Sequence, residues 1–221
     1  MTTMSAEPAP QNASPCPNCG FVQNCICHAG VRLHTQAIFV LLTHSKEFGK
    51  DTNTGALMAR TLPHCQRLLW SRTEPPETLL TLIASNEIQP WLLFPADDAH
   101  PAVPFVRETG KTPLFILLDA TWQEARKMVR KSPWLTKLPR LSLTLDRDSA
   151  YSLRRNQQTG HLCTCETGIA LLELLGEHQD AKALQQYFDA FLTAFPAEKA
   201  GIRVAGQRHN GAAPHRLHLT E

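Results

Sequence analysis

The chain has 221 residues, 43% of them hydrophobic, enough to fill the core of one ordinary domain with a small appendage. No stretch approaches the ~20 consecutive apolar residues that span a bilayer, so a membrane is not an expected partner. A formal net charge of +2 neither demands nor excludes nucleic acid, and any such case must come from local charge.

Residues 1–15 are polar and rich in proline and alanine, with Pro8, Pro10 and Pro15. They carry no apolar signal-peptide core and are expected to form a flexible leader of a cytoplasmic protein. A cysteine motif occupies 16–34. From residue 35 to 200, short apolar runs alternate with helical segments. The runs 37–42, 67–70, 91–94, 114–118 and 141–145 have strand length and are apolar on both faces, as in a buried, mostly parallel sheet. Helices are expected over 76–85, where Pro76 suits a first turn and Glu77 the positive end of the dipole, and over 122–131, ending before Pro133. Two more are expected over 166–175, with Gly176 as a left-handed cap, and over 180–195, ending at Pro196. The fold class is therefore α/β, with helices on both faces of the sheet. A polar, basic tail follows over 201–221, with Arg203, Arg208 and Arg216, and is expected to be flexible.

Cys16-x-x-Cys19 and Cys25-x-Cys27-His28 place four thiols within twelve residues. A tetrahedral zinc ion takes four soft ligands, and a Cys-x-x-Cys turn lets two thiolates converge on one ion. A redox pair would instead follow a strand and open a helix. Structural zinc on Cys16, Cys19, Cys25 and Cys27 is the expectation, with His28 able to replace one thiol. Cys65, Cys163 and Cys165 are read as core or site-lining residues.

The run 114–118 delivers Asp119 at its carboxyl end, just before a helix. Ligands of open α/β sheets sit outside the carboxyl ends of the strands, so an acid, a hydroxyl (Thr121) and an indole (Trp122) arrive where a ligand would bind. Read from spacing alone, Asp119 or Thr121 could equally cap the helix while Trp122 packs in the core.

Asp119-x-Thr121-Trp122, followed by Gln123-Glu124-Ala125-Arg126-Lys127-Met128, resembles the signature of the DTW-domain family. Four further segments resemble it in the same order. They are the cysteine cluster; 41–48 followed by Thr52-Asn53-Thr54-Gly55; Leu92-Leu93-Phe94-Pro95 with Asp97 and Ala99; and Ser152-Leu153-Arg154-Arg155 with Leu162-Cys163-Thr164-Cys165-Glu166-Thr167. Ser45, Cys165 and Thr167 depart from the usual family residues. The resemblance spans about 16–195.

That resemblance implies a tRNA-uridine aminocarboxypropyltransferase related to SPOUT-type RNA-modifying enzymes, whose knotted cofactor site rests on the family alone. The implied reaction moves the 3-amino-3-carboxypropyl group of S-adenosylmethionine to N3 of a uridine and releases methylthioadenosine. The implied catalytic residues are Asp119, Thr121 and Trp122. The implied contacts to S-adenosylmethionine are Phe94, Pro95, Leu118, Asp119, Thr121, Leu162, Cys163, Thr164 and Glu166. The sulfonium is already a good leaving group, so the protein mainly orients reactants and excludes water. Uridine N3 must lose a proton, and Asp119 is the leading base, with holding the donor's amino group as its alternative role.

The residues themselves offer no Gly-x-Gly-x-x-Gly, and Thr54-Gly55 lacks the Lys-Ser/Thr of a P-loop, so neither a Rossmann-type nor a P-loop site is expected. On the helix after Trp122, Arg126/Arg130 and Lys127/Lys131 are like-charged i,i+4 pairs that suit a phosphate backbone, although an ordinary solvated face has the same look. Arg126, Arg130, Arg154 and Arg155 are the expected tRNA contacts, and Arg140 and Arg147 are candidates to lie near the Arg154/Arg155 site. His44 and His161 could act in chemistry but read more simply as structural. SPOUT relatives often dimerise, whereas a monomer is the expectation here. The rival readings are a SPOUT-like RNA methyltransferase and a non-enzymatic zinc-containing RNA-binding protein.

Overall fold

A computed structural model describes residues 14–143 and 162–204. The leader up to residue 13, Arg147, Ser152–Arg155, His161 and the tail from residue 205 lie outside the described residues. The chain divides into two compact units. One joins the segment up to Gly30 with the chain from Gln186 onward; the other runs from Val31 to Gln185.

The larger unit holds a five-stranded sheet in the order β2-β1-β4-β3-β5, with every strand pair parallel. The strands are β1 (Ile38–Thr43), β2 (Cys65–Leu69), β3 (Ile88–Leu93), β4 (Thr112–Asp119) and β5 (Arg140–Leu141). The helices α1 (Gly55–Thr61), α2 (Glu77–Ala84), α3 (Trp122–Lys131) and α4 (Thr164–Leu174) follow or separate them, and α5 (His178–Lys199) closes the described chain. β1 and β4 are central and buried along nearly their whole length, which explains their unbroken apolar runs.

Alternate side chains point to opposite faces. Val40, Leu42, Leu92, Leu114 and Ile116 pack with Leu79 of α2 and Met128 of α3 into one cluster. Fully burying each such side chain is worth about 1.5–3 kcal/mol. The intervening residues of β1 and β4 face the other way, where Leu41 and Asp119 crowd Gly55 at the start of α1 and Thr164 of α4 reaches Asp119. On that same face Phe39 meets Phe115 and Phe105 meets both Phe115 and Trp91, with ring centroids 5.5–5.7 Å apart. Helices thus cover both faces.

Three local outcomes differ from the expectations. The seven-residue α1 is not signalled in the sequence, because it begins on glycine, a poor helix former, and is too short for a periodic pattern. β5 is two residues long, Arg140–Leu141, and meets the expected 141–145 run only at Leu141; residues 144 and 145 lie outside the described residues. The last helix passes through Pro196 to Lys199 instead of stopping at Phe195. A proline removes a single intrahelical bond, and Ala200 N–H still closes the final turn on the Pro196 carbonyl at 3.0 Å. Gly176 does adopt the left-handed conformation, with φ of 76°.

No helix of the described residues is long and apolar enough to cross a membrane.

Candidate functional site

In the smaller unit the four cysteine sulfurs all lie within 4.8 Å of one another. Cys16 and Cys27 are 3.6 Å apart, and Cys25 is 3.7 Å from both Cys16 and Cys19. Zinc–sulfur bonds of about 2.3 Å put tetrahedral ligands roughly 3.8 Å apart, so the thiol spacing fits one ion. The cluster comprises the four cysteines without His28. The turn is built by Gly20, whose φ of 80° suits glycine and whose N–H bonds the Cys16 carbonyl. Burial favours the neutral thiol of Cys16, but the Cys19 and Asn18 backbone N–H groups overcome it and bring Cys16 down to about 7. Burial instead drives Cys25 up to about 11 and Cys27 further still. The four thiols could therefore hold a metal ion that takes them as thiolates.

A support for this loop was not apparent from sequence. The Glu198 carboxylate accepts from the backbone N–H groups of Val22, Gln23 and Asn24 at 2.6–3.2 Å. Asn24, fully buried, donates to Glu198 and to the Ile202 carbonyl and accepts from Val204 N–H. Glu198 lies 171 positions beyond Cys27, so no local pattern pairs them.

In the larger unit the carboxyl ends of the strands gather around Asp119, which is 2% exposed. Its Oδ1 accepts from Asn53 Nδ2 at 3.0 Å and from the Thr164 hydroxyl at 2.9 Å. Its Oδ2 accepts from Asn53 Nδ2 at 2.9 Å and from the Thr43 hydroxyl at 3.0 Å, a hydroxyl that also lies 3.1 Å from the Leu41 carbonyl. Arg67 Nη2 stands 3.7 Å from Oδ2. Asn53 serves two partners, since its Oδ1 accepts from Ala56 N–H in the first turn of α1. Space at Gly55 is tight: a Cβ would stand 3.0 Å from Leu41 and 3.2 Å from Asp119 Oδ1.

Thr121, not Asp119, caps α3. Its hydroxyl accepts from Glu124 N–H at 3.3 Å while the Glu124 carboxylate accepts from Thr121 N–H, a complete capping box. Burial alone would raise the Glu124 carboxyl, but hydrogen bonds from Thr121 and the nearby His44 and Lys46 lower it. His44 stacks on Trp70 at 5.7 Å, and its Nδ1 accepts from Lys46 N–H. Trp122 is half-buried, 6.4 Å from the Phe94 ring. Leu118 packs against the α2/α3 core.

The Phe94-Pro95 loop is held from beneath by Arg140. That residue is 3% exposed, stands 5.3 Å over the Phe94 ring, and donates to the Pro95 carbonyl at 3.1 Å and to Asp97 at 2.6 Å. The Arg140 guanidinium thus points inward to this loop, with its Nε left without a hydrogen-bond partner among the described residues. Arg140, with His100, holds the Asp97 carboxyl down at about 2.

The start of α4 completes the arrangement. Leu162 is half-buried; Cys163 N–H donates to Glu166 at 2.8 Å, and Cys165 N–H to the Thr54 hydroxyl at 3.2 Å. Burial and the Glu166 carboxylate push the Cys163 thiol up to about 12, and burial does the same to Cys65, so neither is poised as a nucleophile. The structure therefore joins Asp119, Thr164 and the Asn53-Thr54-Gly55 turn directly, and joins Phe94 to Trp122 on the neighbouring loops. Arg126, Lys127, Arg130 and Lys131 are all exposed on α3, opposite buried Ala125, Met128 and Val129. Arg154 and Arg155 lie outside the described residues.

No solved structure matches the chain. The family model of the DTW domain matches residues 13–195, a span that contains the cysteine cluster, the Asn53–Gly55 turn, the loop after β3, Asp119–Trp122 and the start of α4, and the chain belongs to the DTW-domain family.

Proposed function

We propose that this protein transfers the 3-amino-3-carboxypropyl group of S-adenosylmethionine to N3 of a uridine in tRNA. Membership of a family consistent with tRNA modification supports the RNA substrate. The observation that carries the reading is the convergence of loops from β1, β4 and the start of α4 on Asp119, at the sheet edge where ligands of α/β proteins collect. In the transfer, N3 forms a bond to the γ-carbon of the methionine moiety as the γ-carbon–sulfur bond breaks. The electron pair neutralises the sulfonium, methylthioadenosine departs and the N3 proton passes to solvent water. Orientation is then the protein's main task.

The role of Asp119 follows from its partners. A carboxylate offers about four lone-pair positions, and Thr43, Asn53 and Thr164 occupy them with four accepted bonds. A base needs an oxygen free to receive the proton. Asp119 acts in this reading as a positioning residue that locks three loops, in place of the base expected from sequence. Phe94, Pro95, Trp122 and the Leu162–Glu166 segment border the donor, exposed Arg126 and Arg130 contact tRNA phosphates together with Arg154 and Arg155, and the four cysteines hold structural zinc.

Mass spectrometry of tRNA nucleosides after incubation with the pure protein and S-adenosylmethionine tests the proposal. The expected product is 3-(3-amino-3-carboxypropyl)uridine with one methylthioadenosine per transfer. A methylated nucleoside with S-adenosylhomocysteine would make it a methyltransferase, and tRNA binding without turnover or donor binding would make it a non-enzymatic binder.

A further inference from the structure

Beside Asp119 lies a cation whose bonding is incomplete. Arg67 sits mid-way along β2, in register with Leu41 of β1, and its side chain is 18% exposed. Its Nε and Nη2 are both buried without a hydrogen-bond partner among the described residues. These two atoms form one edge of the guanidinium, the kind of paired-donor edge that receives a carboxylate through two parallel N–H···O bonds. Asp119 does not satisfy it. The 3.7 Å separation of Nη2 from Oδ2 is that of an ion pair and not of a hydrogen bond. The acceptor positions of Asp119 are already taken by Thr43, Asn53 and Thr164. Buried charged donors left unmet are unfavourable, and a protein that keeps two on one residue calls for an explanation.

The surroundings point to a ligand. The Arg67 guanidinium carbon lies 4.7 Å from the centroid of the Phe48 ring, and Phe48 is itself 41% exposed, in the turn after β1. A partly solvent-facing ring thus packs against the guanidinium, beside the Asp119 carboxylate. Asp119 balances the arginine's charge at rest, so a ligand that brings a carboxylate together with its own ammonium leaves the net charge of the cluster unchanged.

We propose that Arg67 is the anchor for the α-carboxylate of the transferred group, binding it through the Nε–Nη2 edge, and that it selects donors that carry this carboxylate. The inference rests on the donor assignment of the preceding subsection. Arg67 binds and orients; it takes no part in bond making.

Calorimetric titration of the full chain with S-adenosylmethionine, with decarboxylated S-adenosylmethionine and with methylthioadenosine separates the two readings. The parent should bind the carboxylate-bearing donor about 10–100-fold more tightly than the decarboxylated one, the worth of a charge-assisted hydrogen-bonded contact. Arg67→Met should abolish that preference while leaving methylthioadenosine affinity at the parental level. Arg67→Lys, which keeps the charge without the fork, should keep only a minor part of the preference. It carries the test by itself if circular dichroism shows the methionine variant to be unfolded. A parent that binds both donors equally, or a folded Arg67 variant that retains the full preference, overturns the role of Arg67 alone. A parent that binds none of the three compounds overturns the donor assignment and this inference with it.

Discussion

Replacing Asp119 by asparagine is the most informative single change, because its outcome depends on which partners the side chain has. Were Asp119 a helix cap, asparagine would serve almost as well. The capping oxygen belongs to Thr121, however, and Asp119 is an acceptor on both oxygens. Asparagine turns one acceptor into a donor. Whichever way the amide is placed, its NH2 faces the Asn53 amide nitrogen, which bonds both oxygens, and a threonine hydroxyl. The hydroxyl can rotate and accept, but Asn53 cannot, since its own oxygen is committed to Ala56 N–H. The same change strips Arg67 of its counter-charge. Breaking a buried charged pair by altering one member costs about 3–5 kcal/mol. At about 2–4 °C per kcal/mol for a chain of this size, Asp119→Asn should melt roughly 6–20 °C below the parent. Thermal unfolding followed by circular dichroism, checked by denaturant titration, measures this. A variant that melts within about 2 °C of the parent would refute the network argument. If that variant were also inactive, Asp119 would act on the reactants directly.

Three further outcomes follow from the geometry. Gly55→Ala sets a Cβ 3.0–3.2 Å from Leu41 and Asp119 and should cost about 1–3 kcal/mol by overpacking, read as a lowered denaturation midpoint with an unchanged slope. Elemental analysis of unchelated protein should give one zinc per chain, and Cys19→Ser should lose it, with stoichiometric metal in that variant counting against the four-thiol site. The third is a pH effect. Because Arg140 and then His100 lower Asp97 from 3.8 to about 2, its contribution is present above pH 3.8 and is lost as pH falls through about 2. The melting difference between the parent and Asp97→Asn should therefore shrink across that window, and a difference flat from pH 5 to about 2 would rule the pairing out.

Much of the scaffold was legible because its signals are local. The doubly apolar runs of β1 and β4 announce buried parallel strands, and α3 has the bounds expected from Trp122 and Pro133. The choice between Asp119 and Thr121 as cap was also decidable in principle: Glu124 stands three residues after Thr121, the spacing of a capping box, and five after Asp119. Arg67 and Arg140 were not legible. Each opens or interrupts an apolar run, and nothing adjacent tells an inward guanidinium from an outward one. The partners of Arg140, the Pro95 carbonyl and Asp97, lie 45 and 43 positions away, beyond any local pattern.

The same distinction explains why the motifs could be seen while their meaning could not. A parallel sheet joins strand ends that are far apart in the chain, so the partners of Asp119 come from positions 43, 53, 67 and 164. Each carries a requirement that is physical but not local. Asparagine at 53 suits its place because its amide donates to both Asp119 oxygens and accepts from Ala56 N–H of α1 at once. Glycine at 55 suits its place because a Cβ there would press on Leu41, Asn53 and the carboxylate at 3.0–3.2 Å. Threonine at 164 is needed because a hydroxyl at the first residue of α4 can reach the end of β4. Read singly, these residues look like a turn and a helix start. They come together only when one buried carboxylate accepts from Asn53 and Thr164 and packs against Gly55, and the arginine it leaves unsatisfied is the feature on which the proposed ligand preference rests.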